Sequence, residues 1–357
     1  MPVNPYILHA GQPMQHTRTC QMTSFPYPQQ AQSIALCDTR GALNPEAIGW
    51  SSRPQVNCAL PTIWGRRKRW NHWCIVTPHW MLALTQADLD YVGYGAVYFL
   101  DLTTGESVAH SQQRLLARGC ELPDMPQHSH EFEHPRLQFR IAEYPGRARI
   151  TVAVPAIGCE VMQVTLDIQR PLHMDSVNLV APLGERRFHA TCRQLGLPVS
   201  GSVQLGDQHY GCSAGQSFAA LDFGRGVWPL HSHWVRAAFA APGGIAGNFG
   251  SGWTDHSGLS ENALWFGGEL QHLDQPVLIE QDPQKAMAPW RLSSADGRVD
   301  LTFSPWQTHH VCPTFGPLYT DRRQWFGAFS GVLRGPKGER VPVDAALGWI
   351  TKNRSRW

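Results

Sequence analysis

Apolar and polar residues alternate along much of the chain with a period of two, which is typical of half-buried β-strands. Residues 137–155 show this best, since apolar side chains occupy every second position on both sides of a turn at 144–146. This pattern predicts a β-hairpin with one buried face. Similar hairpins are predicted at 263–273, at 290–303 around Asp296-Gly297, and at 326–343.

Convincing helical patterns are scarce. The stretch 79–90, "HWMLALTQADLD", is the best helix candidate, although it could also be a strand. Because no alternation of strands and helices is present, the pattern predicts a mostly antiparallel, all-β protein built as a sandwich or barrel. We expect a partly disordered N-terminal arm over 1–35, which is rich in Gln and Pro, and two β lobes over 36–184 and 185–357, joined near the Gly- and Pro-containing stretch 181–189.

Composition narrows the class of function. The chain has 357 residues, 14 of them Trp, and a net charge of only +2. A dedicated nucleic-acid-binding protein usually has a larger excess of basic residues. Nine scattered cysteines without CxxC pairs favour reduced, buried thiols over a disulfide framework or a zinc site. The sequence has no signal-peptide pattern and no apolar run long enough to span a membrane, so we expect a cytoplasmic protein of undetermined oligomeric state.

A basic run, "WGRRKRWNHW", extends from Trp64 to Trp73. Basic residues between tryptophans could contact phosphates and stack on bases. In a strand, however, Lys68 and Trp70 face one way while Arg69 and Trp73 face the other, so the charges do not form one patch. The favoured interpretation is a structural ladder of Arg and Trp, the others being a pocket for an anionic or lipophilic ligand and a nucleic-acid site.

The segment 221–234, "LDFGRGVWPLHSHW", carries many chemically active side chains. Its Asp-Phe-Gly imitates a kinase motif, but no catalytic loop accompanies it. Asp222 and Arg225 are expected to form an internal ion pair or a turn-forming pair. His231 and His233 are spaced to point the same way from a strand, beside two tryptophans that could line a cavity.

A Gly-rich stretch spans 243–262 and is expected to be a polar loop at the mouth of a β-barrel. The strand–loop–helix context of a phosphate-binding loop is missing around it. A carboxyl group there could act as a general acid if burial raised its pKa. Its candidate residues for catalysis or ligand contact are Asn248, Trp253, Asp255, Glu261 and Asn262.

Three histidines between His128 and His134 would share one face of a strand. Imidazole suits zinc or copper, but a flat strand rarely brings three ligands onto one ion. A solvated polar loop is therefore favoured over a metal site, and we expect neither metal nor cofactor.

Four motifs together resemble the bacterial family known as domain of unknown function 2804. They are "LCDTRGALNPEAIGWSSRP" (36–54), "WGRRKRWNHW" (64–73), "LDFGRGVWP" (221–229) and "GNFGSGWTDHSGLSENALW" (247–265). The family is distantly similar to lipocalin-like carotenoid hydratases, kievitone hydratase and tocopherol-cyclase-like proteins. This resemblance implies two lipocalin-like antiparallel β-barrel or sandwich lobes, packed side by side around an apolar ligand cavity. It also implies proton-initiated hydration or ring closure of a terpenoid-like alkene.

The hydratases carry an acid in an Asp-His-Asn-Trp-like run, where this chain reads Leu-His-Ser-His-Trp at 230–234. The proton donor is therefore open, and the candidates for proton transfer are Asp222, His231, His233, Asp255 and Glu261. Indole faces could stabilise developing positive charge. The candidates for ligand contact are Trp70, Trp73, Arg225, Trp228, Trp234, Asn248, Trp253 and Asn262.

Three functions follow from these features. The first is an enzyme of hydratase, isomerase or cyclase type that acts on an isoprenoid- or acyl-like molecule. The second is a non-catalytic lipid carrier with the same fold, since fold does not fix function. The third is nucleic-acid binding through Trp64–Trp73, which the near-neutral charge disfavours.

Overall fold

The computed structural model describes residues 33–61, 64–255 and 257–357. Strands dominate this part of the chain, where the only helical element is a 3₁₀ helix at Pro45–Ala47. The strands up to the middle of the chain are β1 (Ile34–Ala35), β2 (Gly49–Ser51), β3 (Val56–Asn57), β4 (Arg67–Val76), β5 (Trp80–Asp88), β6 (Val92–Asp101), β7 (Ser107–Leu115), β8 (His130–His134), β9 (Leu137–Tyr144), β10 (Arg147–Ile157), β11 (Glu160–Gln169) and β12 (Val177–Gly184). The others are β13 (Arg187–Leu205), β14 (Gln208–Cys212), β15 (Phe218–Val227), β16 (His231–Ala241), β17 (Ile245–Ser251), β18 (Ala263–Phe266), β19 (Glu269–His272), β20 (Val277–Gln281), β21 (Trp290–Ser294), β22 (Val299–Val311), β23 (Thr314–Phe315), β24 (Leu318–Arg334) and β25 (Arg340–Arg356).

The first lobe is a nearly closed antiparallel barrel. Its main path runs β7-β6-β5-β4-β15-β13-β11-β10-β9-β8, with β2, β12 and β14 paired beside it. The two edge strands of this path approach each other, since Arg114 Nε on β7 donates to the carbonyl oxygen of Glu133 on β8 over 3.1 Å. Closure of this kind leaves little exposed sheet edge.

The second lobe is a half-barrel with the order β19-β18-β17-β16-β25-β24-β22-β21-β20, to which β23 adds at β24. Its long strands β24 and β25 pair from Tyr319↔Arg356 to Arg334↔Arg340. The predicted all-β fold with two antiparallel lobes is therefore confirmed. Each predicted hairpin is also present, including β9–β10, in which Tyr144 pairs with Arg147.

Of the two alternatives for 79–90, the helix is wrong and the strand is correct, because residues 80–88 form β5. This strand pairs with both β4 and β6. Eight of its nine residues are buried, so both of its faces are covered. Alternation is lost in a strand that is buried on both faces, and an apolar run of this length cannot be distinguished from a helix by its period.

The change of lobe lies later than the predicted join. The first sheet continues through β15 and the second begins at β16, so the chain passes between them at 228–230. Residues 181–189 instead form the turn of the β12–β13 hairpin, because their Gly and polar residues close a hairpin as readily as they end a lobe. Of the expected arm at 1–35, only 33–35 lie within the described residues.

Each lobe is filled by its own side chains. One core of buried residues lies inside the barrel, around Trp73 and Phe99, and another inside the half-barrel, around Phe239 and Phe303. A third core joins the lobes, since it combines Ala220 of the first sheet with residues of the second. The eight cysteines of the described chain are free thiols, five of them buried.

Candidate functional site

An apolar cavity of about 170 Å³ lies between the two lobes. One buried water needs about 10–15 Å³ on the same measure, so a small organic molecule fits. The first sheet contributes residues of β4, β5, β13 and β15 to the wall, and the second contributes residues of β16, β17, β24 and β25. The hollow expected of this fold is therefore located between the lobes and not within either barrel.

Strand alternation selects which side chains reach the cavity. On β4, Trp70 and His72 line it, whereas Trp73 points into the core of the first lobe. Gly224 on β15 lies opposite Trp70. A Cβ atom at Gly224 would collide with the Trp70 ring, so glycine allows the indole to lie flat across the strand.

Three charged side chains at one end of the cavity wall, Arg193, Asp222 and Arg236, form a cluster with the buried Glu261 behind them. Asp222 pairs with Arg193 and Arg236 and accepts a hydrogen bond from Trp70 Nε1 over 2.8 Å. Behind it, Glu261 accepts from Arg193 Nε at 2.9 Å and from Arg236 Nε at 3.0 Å. Two cations and two anions thus neutralise each other at the join between the lobes.

Glu261 is an unfavourable proton donor in this position. It is completely buried and does not line the cavity. Burial raises the pKa of the Glu261 carboxyl, but the guanidinium groups of Arg236 and Arg193 outweigh burial and hold the pKa below its usual value. Glu261 is therefore an ionised carboxylate that joins the lobes, and the general-acid role predicted for it loses its physical basis.

The buried histidines at and near the cavity are neutral. Burial, together with the charges of Arg322, Arg193 and Arg236, lowers the pKa of His72 to about 3. Its Nδ1 lies 2.8 Å from Thr85 Oγ1. Behind Trp70, His189 stacks on the indole with ring centroids 5.0 Å apart. Neither histidine can supply a proton near neutral pH.

The buried histidines make a testable contribution to acid sensitivity. Burial lowers the pKa of His130 to about 4, so below pH 6.5 the unfolded chain binds a proton that the folded chain does not. Stability is then lost as pH falls, and at pH 5 His130 should cost about 2 kcal/mol. Urea unfolding at pH 7 and pH 5 should therefore show a smaller acid loss for His130→Asn than for the native chain.

His209→Asn is the matched control, because His209 lies exposed on β14. We expect this variant to keep the acid loss of the native chain. An equal acid loss in all three proteins would show that His130 does not contribute.

Four of the predicted site residues line the cavity, namely Trp70, Asp222, Trp234 and Asn248. The structure does not bring the other predicted contacts to the described cavity wall. Those that are buried elsewhere are Trp73, Arg225, Trp228, Trp253 and Asn262. Trp228 and Trp253 form a layer behind Trp70 around His189, in which Trp228 Nε1 donates to His189 Nδ1 over 3.1 Å.

Asp222 and Arg225 form neither the predicted ion pair nor a turn, since both lie within β15. Residues three apart on a strand point to opposite faces, so Arg225 is directed away from Asp222. Its guanidinium donates to the carbonyl oxygens of Pro123 and Trp70 and to Asn71 Oδ1. Asp222 pairs with Arg193 and Arg236 instead.

The remaining proton-transfer candidates lie at the surface. His231 and His233 are exposed on β16 and are not part of the cavity wall. Asp255 is also exposed and accepts a hydrogen bond from the backbone of Gly252 over 2.9 Å, which closes a local turn. The stretch 243–262 is not a single loop at a barrel mouth, because 245–251 form β17.

The basic run is incorporated into the fold. Arg67 pairs with Asp90 at 2.6 Å and Arg69 pairs with Asp88. Lys68 is only 1% exposed, and burial lowers its pKa to about 8. This arrangement favours the structural interpretation of the run over nucleic-acid contact.

The histidines expected in a polar loop lie partly in β8. His130 is buried and packs against Asn71, with His130 Nε2 3.1 Å from Asn71 Nδ2. His128 is exposed and precedes the strand, and His134 ends it. Over 33–61, 64–255 and 257–357, no three metal-binding side chains are placed to hold one ion.

Sequence reasoning missed most of the polar cavity wall. The missed residues are His72, Arg193, Arg236, Arg322, Gln324, Trp349 and Trp357. The sequence contains a pattern that could have identified part of this set. Along β25 and beyond it, Trp349, Thr351, Asn353 and Trp357 fall at odd positions and therefore share one face.

The chain is similar to one protein family and to solved structures of low sequence identity. A family model described as Domain of unknown function (DUF2804) matches residues 28–357. Among solved structures, kievitone hydratase from Nectria haematococca is similar at 9% identity and TM-score 0.45, over 82% of this chain and 89% of that one. An AttH candidate from Nitrosomonas europaea has 11% identity and TM-score 0.49, over 80% of this chain and 92% of that one. No curated protein sequence matches the chain. Within the described residues, no helix is long and apolar enough to cross a membrane.

Proposed function

The chain belongs to this family, as its four motifs predicted, and we propose that it binds a lipophilic small molecule of isoprenoid or acyl type between its lobes. The observation that carries this proposal is the cavity itself, which is apolar and walled by indole rings from both sheets. These rings belong to Trp70, Trp234, Trp349 and Trp357. Ligand sites are typically concave, mostly apolar, and located where lobes meet.

The proposal is tested with the neutral fluorescent polyene diphenylhexatriene and the fluorescent fatty acid cis-parinaric acid. Ala87 lines the cavity beside Trp70, its partner on the adjacent strand β5. Ala87→Phe should therefore fill part of the cavity and weaken binding of both probes at least about tenfold. Ala153 is exposed on β10, and Ala153→Phe should leave both affinities unchanged.

Binding that is absent from the native protein, or that is insensitive to Ala87→Phe, would overturn the proposal. Mass spectrometry of small molecules extracted from the purified protein provides an independent measurement. We expect a co-purifying lipophilic molecule in the native sample and a reduced amount in the Ala87→Phe sample.

Acid-initiated hydration, isomerisation or cyclisation is the second candidate function. It is favoured by Asp222, which places a carboxyl group in the cavity wall beside Trp70 and Trp234. The arginines and the Trp70 indole hold both carboxylate oxygens of Asp222, which leaves the group poorly arranged to donate a proton. Binding without catalysis therefore agrees better with the site.

Isotope incorporation separates the two functions. The extracted lipid is returned to the protein in water enriched in ¹⁸O and deuterium, and the product is analysed by mass spectrometry. A carrier should incorporate neither isotope, whether native or Asp222→Asn. Incorporation by the native protein that Asp222→Asn abolishes, with ligand affinity retained, would establish catalysis through this residue.

A further inference from the structure

A half-buried arginine in the cavity wall has no counterion among the residues that the structure describes. Arg322 lies on β24 and lines the cavity, and it has neither an ion pair nor a hydrogen bond within the described part of the chain. Its partners on the adjacent strands are Val311 on β22 and Asn353 on β25. Asn353 in turn pairs with Trp234 on β16. None of these is acidic. Arg356 also lines the cavity, but it is exposed to water.

The charge balance around the cavity singles out Arg322. Arg193 and Arg236 are neutralised by Asp222 and Glu261, as two cations against two anions. Arg322 is half-buried, and shielding a guanidinium from water without a counterion is costly, since charges removed from water are normally paired. Consistent with this cost, burial lowers the pKa of Arg322. Besides the exposed Arg356, the charge of Arg322 therefore remains for an occupant of the cavity to neutralise.

A second unpartnered side chain lies beside it. Gln324 is two residues further along β24, so it shares the cavity face with Arg322. It is only 3% exposed, and no described residue hydrogen-bonds to its amide. Buried amides without a partner are rare in folded proteins. The guanidinium and the amide together offer donors to an acceptor that enters the cavity.

We propose that the ligand is a lipophilic monocarboxylate, whose carboxylate pairs with Arg322 and accepts a hydrogen bond from Gln324. This inference rests on the proposed binding function and narrows its ligand class. A carboxylate fits the planar fork of an arginine and brings one negative charge. A phosphate monoester would bring about 1.5 to 2 negative charges, more than Arg322 alone balances. The apolar body would then lie against Trp234 and Trp349.

The test compares cis-parinaric acid with its methyl ester, which has the same polyene chain but no charge. In fluorescence titrations of the native protein, we expect the acid to bind at least about tenfold more tightly than the ester. Arg322→Met should weaken binding of the acid at least about tenfold and leave the ester within about twofold. Arg323→Met is the matched control, because Arg323 is exposed on the opposite face of β24; it should preserve the preference.

The comparison in the native protein requires no variant to fold. Equal affinity for acid and ester would overturn the inference while leaving lipophile binding in place. Binding of neither probe would overturn the proposed function and the inference with it. In competition, dodecanoate should displace the bound acid more effectively than dodecyl phosphate does. The reverse order would overturn the assignment of the anion as a carboxylate.

Discussion

Replacing Glu261 with glutamine should lower the free energy of unfolding by about 3–5 kcal/mol. Glutamine keeps the shape of the side chain but removes the negative charge that Arg193 and Arg236 share. Both guanidinium groups are buried, so they would be left with Asp222 as their only carboxylate partner. Trp253 Nε1 also donates to Glu261 Oε1 over 3.1 Å. Glutamine can place its NH2 group at this position, and that group cannot accept the hydrogen bond.

Urea unfolding at pH 7 measures this effect. Asp167→Asn is the control, because Asp167 pairs with Arg149 at 2.9 Å on the exposed face of the first barrel. Surface ion pairs contribute little to stability, so this variant should unfold almost as the native protein does. Equal losses for the two variants would mean that the buried cluster does not join the lobes energetically.

Replacing Trp73 with alanine should lower the free energy of unfolding by about 3–5 kcal/mol. Trp73 is 2% exposed and packs inside the first barrel, and its ring lies 5.3 Å from the Arg170 guanidinium carbon. Removing the indole would leave a cavity that the surrounding strands cannot fill. Because this side chain points away from the ligand cavity, the folded variant should bind diphenylhexatriene with unchanged affinity.

Two other tryptophans of the same run complete the experiment. Trp64 is 63% exposed, and Trp64→Ala should change stability by no more than about 0.5 kcal/mol. Trp70 lines the cavity, so Trp70→Ala should weaken probe binding. If Trp73→Ala weakened probe binding more than Trp70→Ala did, the placement of these two side chains on opposite faces of β4 would be contradicted.

Local pattern was sufficient to predict the half-buried strands and their faces. The hairpin at 137–155 follows from alternation alone, because every second side chain on each strand is buried. The same period of two places Trp70 and Trp73 on opposite faces of β4, whatever packs against each face. The pattern failed at β5, where burial on both faces removed the polar residues that mark a strand.

Long-range pairing decided the candidate site. Arg193 and Asp222 are paired on β13 and β15 of the first sheet. Docking of the second lobe then brings Arg236 and Glu261 to them. The sequence also could not show that Asp255 would close a surface turn while Glu261 became buried. Both are carboxylates in one Gly-rich stretch, and the direction of each depends on the neighbouring sheet.

The sequence by itself determined an all-β antiparallel chain, because alternation acts between residues only two positions apart. The expectation of two lipocalin-like lobes came from the resemblance to the family. The tertiary structure decided where the hollow lies and which charges face it. Each lobe fills its own interior, so the space for a ligand arises where the outer face of one sheet meets the other. That meeting depends on strands far apart in sequence, which local periodicity does not record.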